Sequence, residues 1–175
     1  FLGAIGKRKG IFDLIEAMKI LKSKKVKTKL LLYGPDVTEG INEIIEENGL
    51  EDYVDYRGWL GNEDKYNVFT KEIALNILPS YNEGLPMTIL ETMSYGIPNI
   101  STNVAAIPEV LNQKNGYITT PGDYKDVAKN IIDFLCNEMI TEKLSKNSYE
   151  TIKRNFSIEN HINQISKIYD EVNEK

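Results

Sequence analysis

Short apolar runs alternate with helix-spaced apolar patterns along this chain, and that alternation predicts a parallel sheet with helices on both faces. The runs are Phe1–Gly6, Lys29–Tyr33, Tyr53–Arg57, Ile73–Leu78, Pro98–Ser101 and Asn115–Thr119. Between the first two, Ile11, Leu14, Ile15, Met18 and Leu21 recur at helical spacing. Further helices are expected around Glu39–Asn48, Asp64–Thr70, Pro86–Gly96 and Ile107–Glu109, and one carries Val127, Ile131, Ile132 and Leu135. Two more run over Thr141–Asn155 and Ile158–Asn173, the latter with Ile158, Ile162, Ile165, Ile168 and Val172 in one stripe. The expected class is α/β, a doubly wound, Rossmann-like parallel sheet forming one domain over residues 1–175. In such sheets ligands sit outside the carboxyl ends of the strands, so the loops there are the place to look for chemistry.

Composition excludes several classes. A net charge of −5 argues against a nucleic-acid platform, which needs a basic face. The cluster Lys22, Lys24, Lys25, Lys27 and Lys29 falls at a helix end, where cations complement the dipole. One cysteine, Cys136, excludes an internal disulfide and fits a reducing compartment. No run approaches the ~18 apolar residues of a membrane span. A cytoplasmic protein is expected, with no transmembrane segment. Because the chain opens at Phe1 inside an apolar run, it reads as a piece of something longer.

The segment Glu83-Gly84-Leu85-Pro86-Met87-Thr88-Ile89-Leu90-Glu91 carries the strongest chemical signal. Pro86 suits a first helical position, where its missing N–H costs nothing. The amides of Met87 and Thr88, at the positive end of the helix dipole, can take a phosphate, and Gly84 lets backbone approach it. Glu91 lies further along the helix, and helical side chains lean back toward the N-terminus, so its carboxylate can accept hydrogen bonds from a ribose diol. Glu83, ahead of the turn, faces the other end of such a ligand, where the hydroxyls of an attached sugar lie. No carboxylate–histidine cluster suggests a metal site, and no cofactor is expected beyond the donor substrate.

These residues, with others in the same order, resemble the C-terminal, donor-binding half of the retaining glycosyltransferases of group 1 (family 4), which have the two-lobed GT-B fold. The matching landmarks are Lys9-Gly10, Pro79-Ser80 followed by Glu83-Gly84, Glu91, Gly96-Ile97-Pro98, Pro108-Glu109, and Asn115-Gly116 leading to Pro121-Gly122-Asp123. The resemblance implies transfer of a hexosyl unit, with retention and without a metal, from a nucleoside diphosphate sugar to a sugar, polysaccharide or glycolipid. A UDP-sugar is favoured and a GDP-sugar is the other option. Glu91 would hold the ribose, Glu83 the transferred sugar, and Lys9 the diphosphate leaving group. The resemblance lays the loop Arg57-Gly58-Trp59 along the base, with Gly58 in the donor site beside Gly84, Leu85, Met87 and Thr88. The acceptor would come through an absent N-terminal lobe, which could also attach the protein to the inner membrane face, and the piece alone would be inactive.

The family's usual arginine after the first-strand glycine is Ala4 here, and Arg8 stands in as the second diphosphate cation. Trp59 reads as a packing residue rather than a stacking platform, Glu109 as a helix-start charge, and His161 as polar surface. Two other classes remain open at this point. One is a sugar-nucleotide epimerase or another GT-B enzyme; the other is a non-enzymatic phosphate-binding regulatory domain, which needs acidic residues at strand ends such as Asp36.

Overall fold

In the computed structural model, which describes residues 1–173, all the strand pairing is parallel. Leu30–Tyr33 (β1) pairs with Val54–Gly58 (β2), and Asn76–Leu78 (β3), Asn99–Thr102 (β4) and Gly116–Thr119 (β5) form a second ladder in that order. The first run makes no regular strand: it joins β1 and the turn after it through two isolated bridges, Leu2 to Tyr33 and Ile5 to Asp36. Gly3, at φ 150°, breaks its regularity while Gly3 and Ile5 still donate to the carbonyls of Tyr33 and Pro35. One core nonetheless runs beneath both ladders, with Phe1, Ile5, Leu30, Leu32, Ile77, Leu78 and Ile100 in a single buried cluster. The expected α/β class with a parallel sheet and flanking helices is therefore present, although its hydrogen-bonded ladder is split in two.

The helices are Ile11–Ser23 (α1), Ile41–Glu47 (α2), Asn62–Lys71 (α3), Met87–Ser94 (α4), Ile107–Val110 (α5), Tyr124–Cys136 (α6), Glu138–Asn155 (α7) and Ile158–Asn173 (α8). Helix α1 buries the apolar stripe of Ile11, Leu14, Ile15, Met18 and Leu21 and packs on α6, while α4 packs on α7. Two expectations shift. The fourth strand begins at Asn76 rather than Ile73, because the Ile73 amide still donates to Val68 and closes α3. Pro86 caps α4 instead of occupying its first turn: its φ of −70° suits a helix but its ψ of 118° is extended.

A buried polar network anchors α4 on the sheet. Asn76 and Asn99 are register partners on β3 and β4, and the Asn76 amide donates to Asn99 Oδ1 at 2.6 Å. Asn99 in turn donates to Thr92 Oγ1 of α4 at 3.1 Å. Buried polar groups are costly unless paired, and these bonds tie the last turn of α4 to the sheet.

Helix α8 is amphipathic, but its apolar stripe is exposed. Ile158, Ile162, Ile165, Ile168, Tyr169 and Val172 are all exposed, Ile158 by 77%. A contiguous apolar face of that kind normally marks an interaction surface.

A close backbone approach joins Gly10 to Pro79. Gly10 has φ +76°, and a Cβ there would fall 2.0 Å from the Pro79 carbonyl oxygen. Gly10→Ala is expected to cost more than about 1 kcal/mol, since alanine at positive φ is strained even before the clash. Gly84→Ala, whose Cβ would meet nothing within 4 Å, should stay within about 0.5 kcal/mol of the parent chain. Equilibrium denaturation of the two variants side by side checks both.

Candidate functional site

The loops at the carboxyl ends of the strands bring together residues far apart in sequence. From β3 the chain enters Pro79 and Ser80, both buried. Thr102, at the end of β4, donates its hydroxyl to the Ser80 carbonyl at 2.6 Å, and Ser101 does the same to Leu78 at 2.7 Å. These bonds extend the sheet's grip past the last ladder residue. Three residues on, Glu83 turns back: its Oε1 accepts from Ser80 Oγ at 2.6 Å and from Lys9 Nζ at 2.5 Å. The Lys9 and Glu83 side chains are 15% and 5% exposed, so the pair is well shielded from solvent. Shielding makes such a pair stronger than a surface bridge and makes the loss of either partner costlier.

Lys9 owes its place to the start of α1. Lys7–Lys9 form one 3₁₀ turn, and the contact of Gly10 with Pro79 holds that turn beside the strand end. The Arg8 carbonyl accepts from the Tyr81 amide at 2.9 Å, and the Arg8 guanidinium donates to the Asn82 carbonyl at 3.0 Å. Arg8 and Lys9 thus both reach the loop that carries Glu83.

At the other side of the α4 start, Glu91 accepts from Lys65 Nζ of α3 at 2.9 Å. Both border a groove lined by Gly3, Ala4, Tyr33, Gly34, Pro35, Trp59 and Thr88 among others. Lys9 skirts the same groove, its Cε lying 4.0 Å from where a Cβ on Gly3 would sit. The amides of Met87 and Thr88 have no acceptor in the chain among the described residues, as the first turn of a helix requires. Gly84, Leu85 and Met87 are exposed, and Gly58, at φ +68°, turns β2 into the loop that carries Trp59.

Trp59 overturns the expectation that it packs. It is 78% exposed and forms part of the groove wall, because the chain turns outward at Gly58 and no element covers the indole. Arg57 does not join it: its guanidinium is held by Asp55 at 2.6 Å, with Glu72 at 3.7 Å. Lys65 and the hydroxyl of Ser80 are the site residues that sequence reasoning missed. Nothing in the spacing singles out Lys65 among the exposed charges of α3. Ser80 was visible only as half of a Pro-Ser landmark without a role.

Asp36 is fully engaged. Its Oδ1 accepts from the amide and hydroxyl of Thr38, and its Oδ2 accepts from the amides of Gly40 and Ile41, which tie down the start of α2. Burial pushes its pKa up, but these hydrogen bonds outweigh burial and hold it below the usual value. Among the described residues no three His, Cys, Asp or Glu side chains converge as metal ligands. Among the described residues no helix is long and apolar enough to cross a membrane.

Comparison with known proteins places this geometry in a class. Residues 1–151 match the family described as Glycosyl transferases group 1, and the chain belongs to that family. It is 30% identical over 166 residues to the capsular polysaccharide biosynthesis glycosyltransferase CapM of Staphylococcus aureus, covering 90% of this chain and 41% of that protein. Against O-antigen chain mannosyltransferase B of Escherichia coli it is 27% identical, over 97% of this chain and 44% of the relative. The chain therefore spans less than half the length of these curated relatives. Among solved structures, Anabaena Alr3699/HepE in complex with UDP superposes with a TM-score of 0.85 at 20% identity, over 97% of this chain and 48% of that one. At that identity the likeness carries the fold.

The charge on Asp36 links pH to stability. Its folded pKa lies below that of the unfolded chain, so the unfolded state binds more protons as pH falls. The stabilisation is complete above the unfolded value of about 4 and is lost as pH drops through the lower folded value. Asp36→Ala is expected to lower stability at pH 7 by about 1 kcal/mol, as a lost helix-start acceptor does, and to flatten the acid side of the stability curve. Urea midpoints between pH 7 and pH 2 for both chains check the sign.

Proposed function

We propose that this chain is the donor-binding part of a retaining glycosyltransferase, taking a nucleoside diphosphate sugar in the groove between Trp59, Glu91 and Lys9. The observation that carries the reading is the pairing of each carboxylate with a lysine on either side of a free helix start: Glu91 with Lys65, Glu83 with Lys9, and the open amides of Met87 and Thr88 between them. That order matches a ribose, a diphosphate and a sugar laid end to end. Glu91 accepts hydrogen bonds from the ribose diol, and the exposed face of Trp59 is available to the base. The α4 amides and Lys9 face the diphosphate, where negative charge grows as the glycosidic bond breaks. Glu83 meets the hydroxyls of the sugar. Arg8, already tied to the Glu83 loop, adds positive charge on the side where Ala4 contributes none. HepE, the structural neighbour, has been solved with UDP-glucose, which favours a uridine nucleotide here as well.

The hexosyl acceptor and the groups that bind it are assigned to a second lobe, as are any contacts with a membrane surface. Two facts support such a lobe: the chain spans less than half of its curated relatives, and α8 leaves a bare apolar face. The 175 residues alone should accordingly bind donor and transfer little. The saturated hydrogen bonding of Asp36 weighs against the phosphoacceptor alternative, since that carboxylate has no free face for a phosphoryl group.

Glu91 provides the test. Hydrogen bonds to a charged acceptor are worth ~1.5–3 kcal/mol, so Glu91→Gln should weaken UDP binding by about tenfold or more. It should also erase the preference for UDP over 2′-deoxy-UDP. Equal affinities of parent and variant for both nucleotides in calorimetry, repeated with the guanosine pair, would remove Glu91 from the site. The bare face of α8 provides a second check. Ile165→Glu should leave the melting temperature of the 175-residue chain unchanged and lower that of a chain extended to the relatives' length.

A further inference from the structure

We infer that Ser80 is a positioning residue for Glu83: its buried hydroxyl holds one carboxylate oxygen so that the other stays turned to the donor's sugar. This rests on the sugar-facing role proposed for Glu83. Ser80 is fully buried, and its Oγ donates to Glu83 Oε1 at 2.6 Å. Lys9 donates to that same oxygen at 2.5 Å. Both donors on Oε1 leave Oε2 without a partner in the chain among the described residues.

The two donors differ in what ligand binding does to them. Lys9 is a cation near the groove, and a diphosphate arriving there competes with Glu83 for its ammonium. Ser80 has no such freedom. Its carbonyl is clasped by Thr102 at 2.6 Å, and the residue before it, Pro79, is pressed against Gly10. When Lys9 turns to the phosphates, Ser80 is the remaining bond that fixes the Glu83 carboxylate. The Glu83 side chain is shielded, but its loop neighbours Tyr81 and Leu85 are exposed, so burial does not anchor the loop that carries it. Preorganisation of that kind costs the ligand nothing at the moment of binding, which is how a group that touches no substrate raises affinity.

A purely structural serine, satisfying its own hydroxyl on the nearest acceptor, predicts a loss of stability with no ligand signature. Calorimetry on the 175-residue chain separates the two, using UDP with UDP-glucose and GDP with GDP-mannose as probes. Ser80→Ala should bind the free diphosphate as the parent does, while the extra affinity of the sugar nucleotide shrinks by about threefold or more. In a Glu83→Ala background the serine substitution should have no further effect on that increment, because the two residues act as one unit. If Ser80→Ala does not fold, Ser80→Cys keeps the volume with a weaker donor and should show the same loss in smaller measure. The inference is overturned if the increment survives in a folded Ser80 variant while Glu83→Ala abolishes it. It is equally overturned if diphosphate and sugar nucleotide weaken together, or if the effect persists without Glu83. A parent chain that binds neither sugar nucleotide more tightly than its diphosphate overturns the Glu83 role itself, and the inference falls with it.

Discussion

Everything at the carboxyl ends of the strands depends on one backbone contact, the approach of Gly10 to the carbonyl of Pro79. It joins the start of α1 to the end of β3, two pieces of chain that share no strand pairing. A side chain at position 10 would separate them and move Lys9 away from Glu83. The contact also explains how a split sheet carries a continuous site. The first run bridges to β1 on one side, and through Gly10 it is locked to the β3 loop on the other.

The site is electrostatically self-satisfied. Each carboxylate that could meet a ligand already has an ammonium, and each ammonium is only partly buried. That arrangement avoids the cost of an unpaired charge in a shielded pocket, yet leaves cations that can be shared with an anionic ligand. The hydroxyls of Ser80, Ser101 and Thr102 and the asparagine pair on β3 and β4 belong to the same logic. They are buried polar groups: Ser101 and Thr102 bond backbone carbonyls of the β3 end, Ser80 bonds the Glu83 carboxylate, and Asn76 bonds Asn99.

The fold was legible because short apolar stretches alternate with helix-spaced patterns, and those stretches fall where β1 to β5 lie. The exceptions have physical causes. Ile73 and Leu75 pack half-buried against the core without pairing, and the run from Phe1 makes only isolated bridges across Gly3. At the site, Glu83 and Glu91 could be placed because helix geometry dictates which way a side chain leans from a capped start. Lys65 could not, since its partner is set by how α3 lies against α4, which no local pattern encodes. Trp59 failed for a related reason: a tryptophan is buried by what surrounds it, and the turn at Gly58 decides that it faces the groove.

Trp59 and α8 expose apolar surface for different physical reasons. The indole is exposed on the wall of a groove that Lys65 and Glu91 border, a setting that suits a flat group tolerant of polar neighbours, as a nucleobase is. The α8 stripe repeats Ile158, Ile162, Ile165, Tyr169 and Val172 at alternating spacings of four and three residues, which is the seam of a helix packed lengthwise against another surface. Its polar face holds Glu159, Asp170 and Glu171 against the single lysine Lys167. A helix lying on an anionic lipid surface carries the opposite balance. The composition of α8 therefore fits a protein surface better than a membrane, and the groove and the helix call for two different kinds of cover.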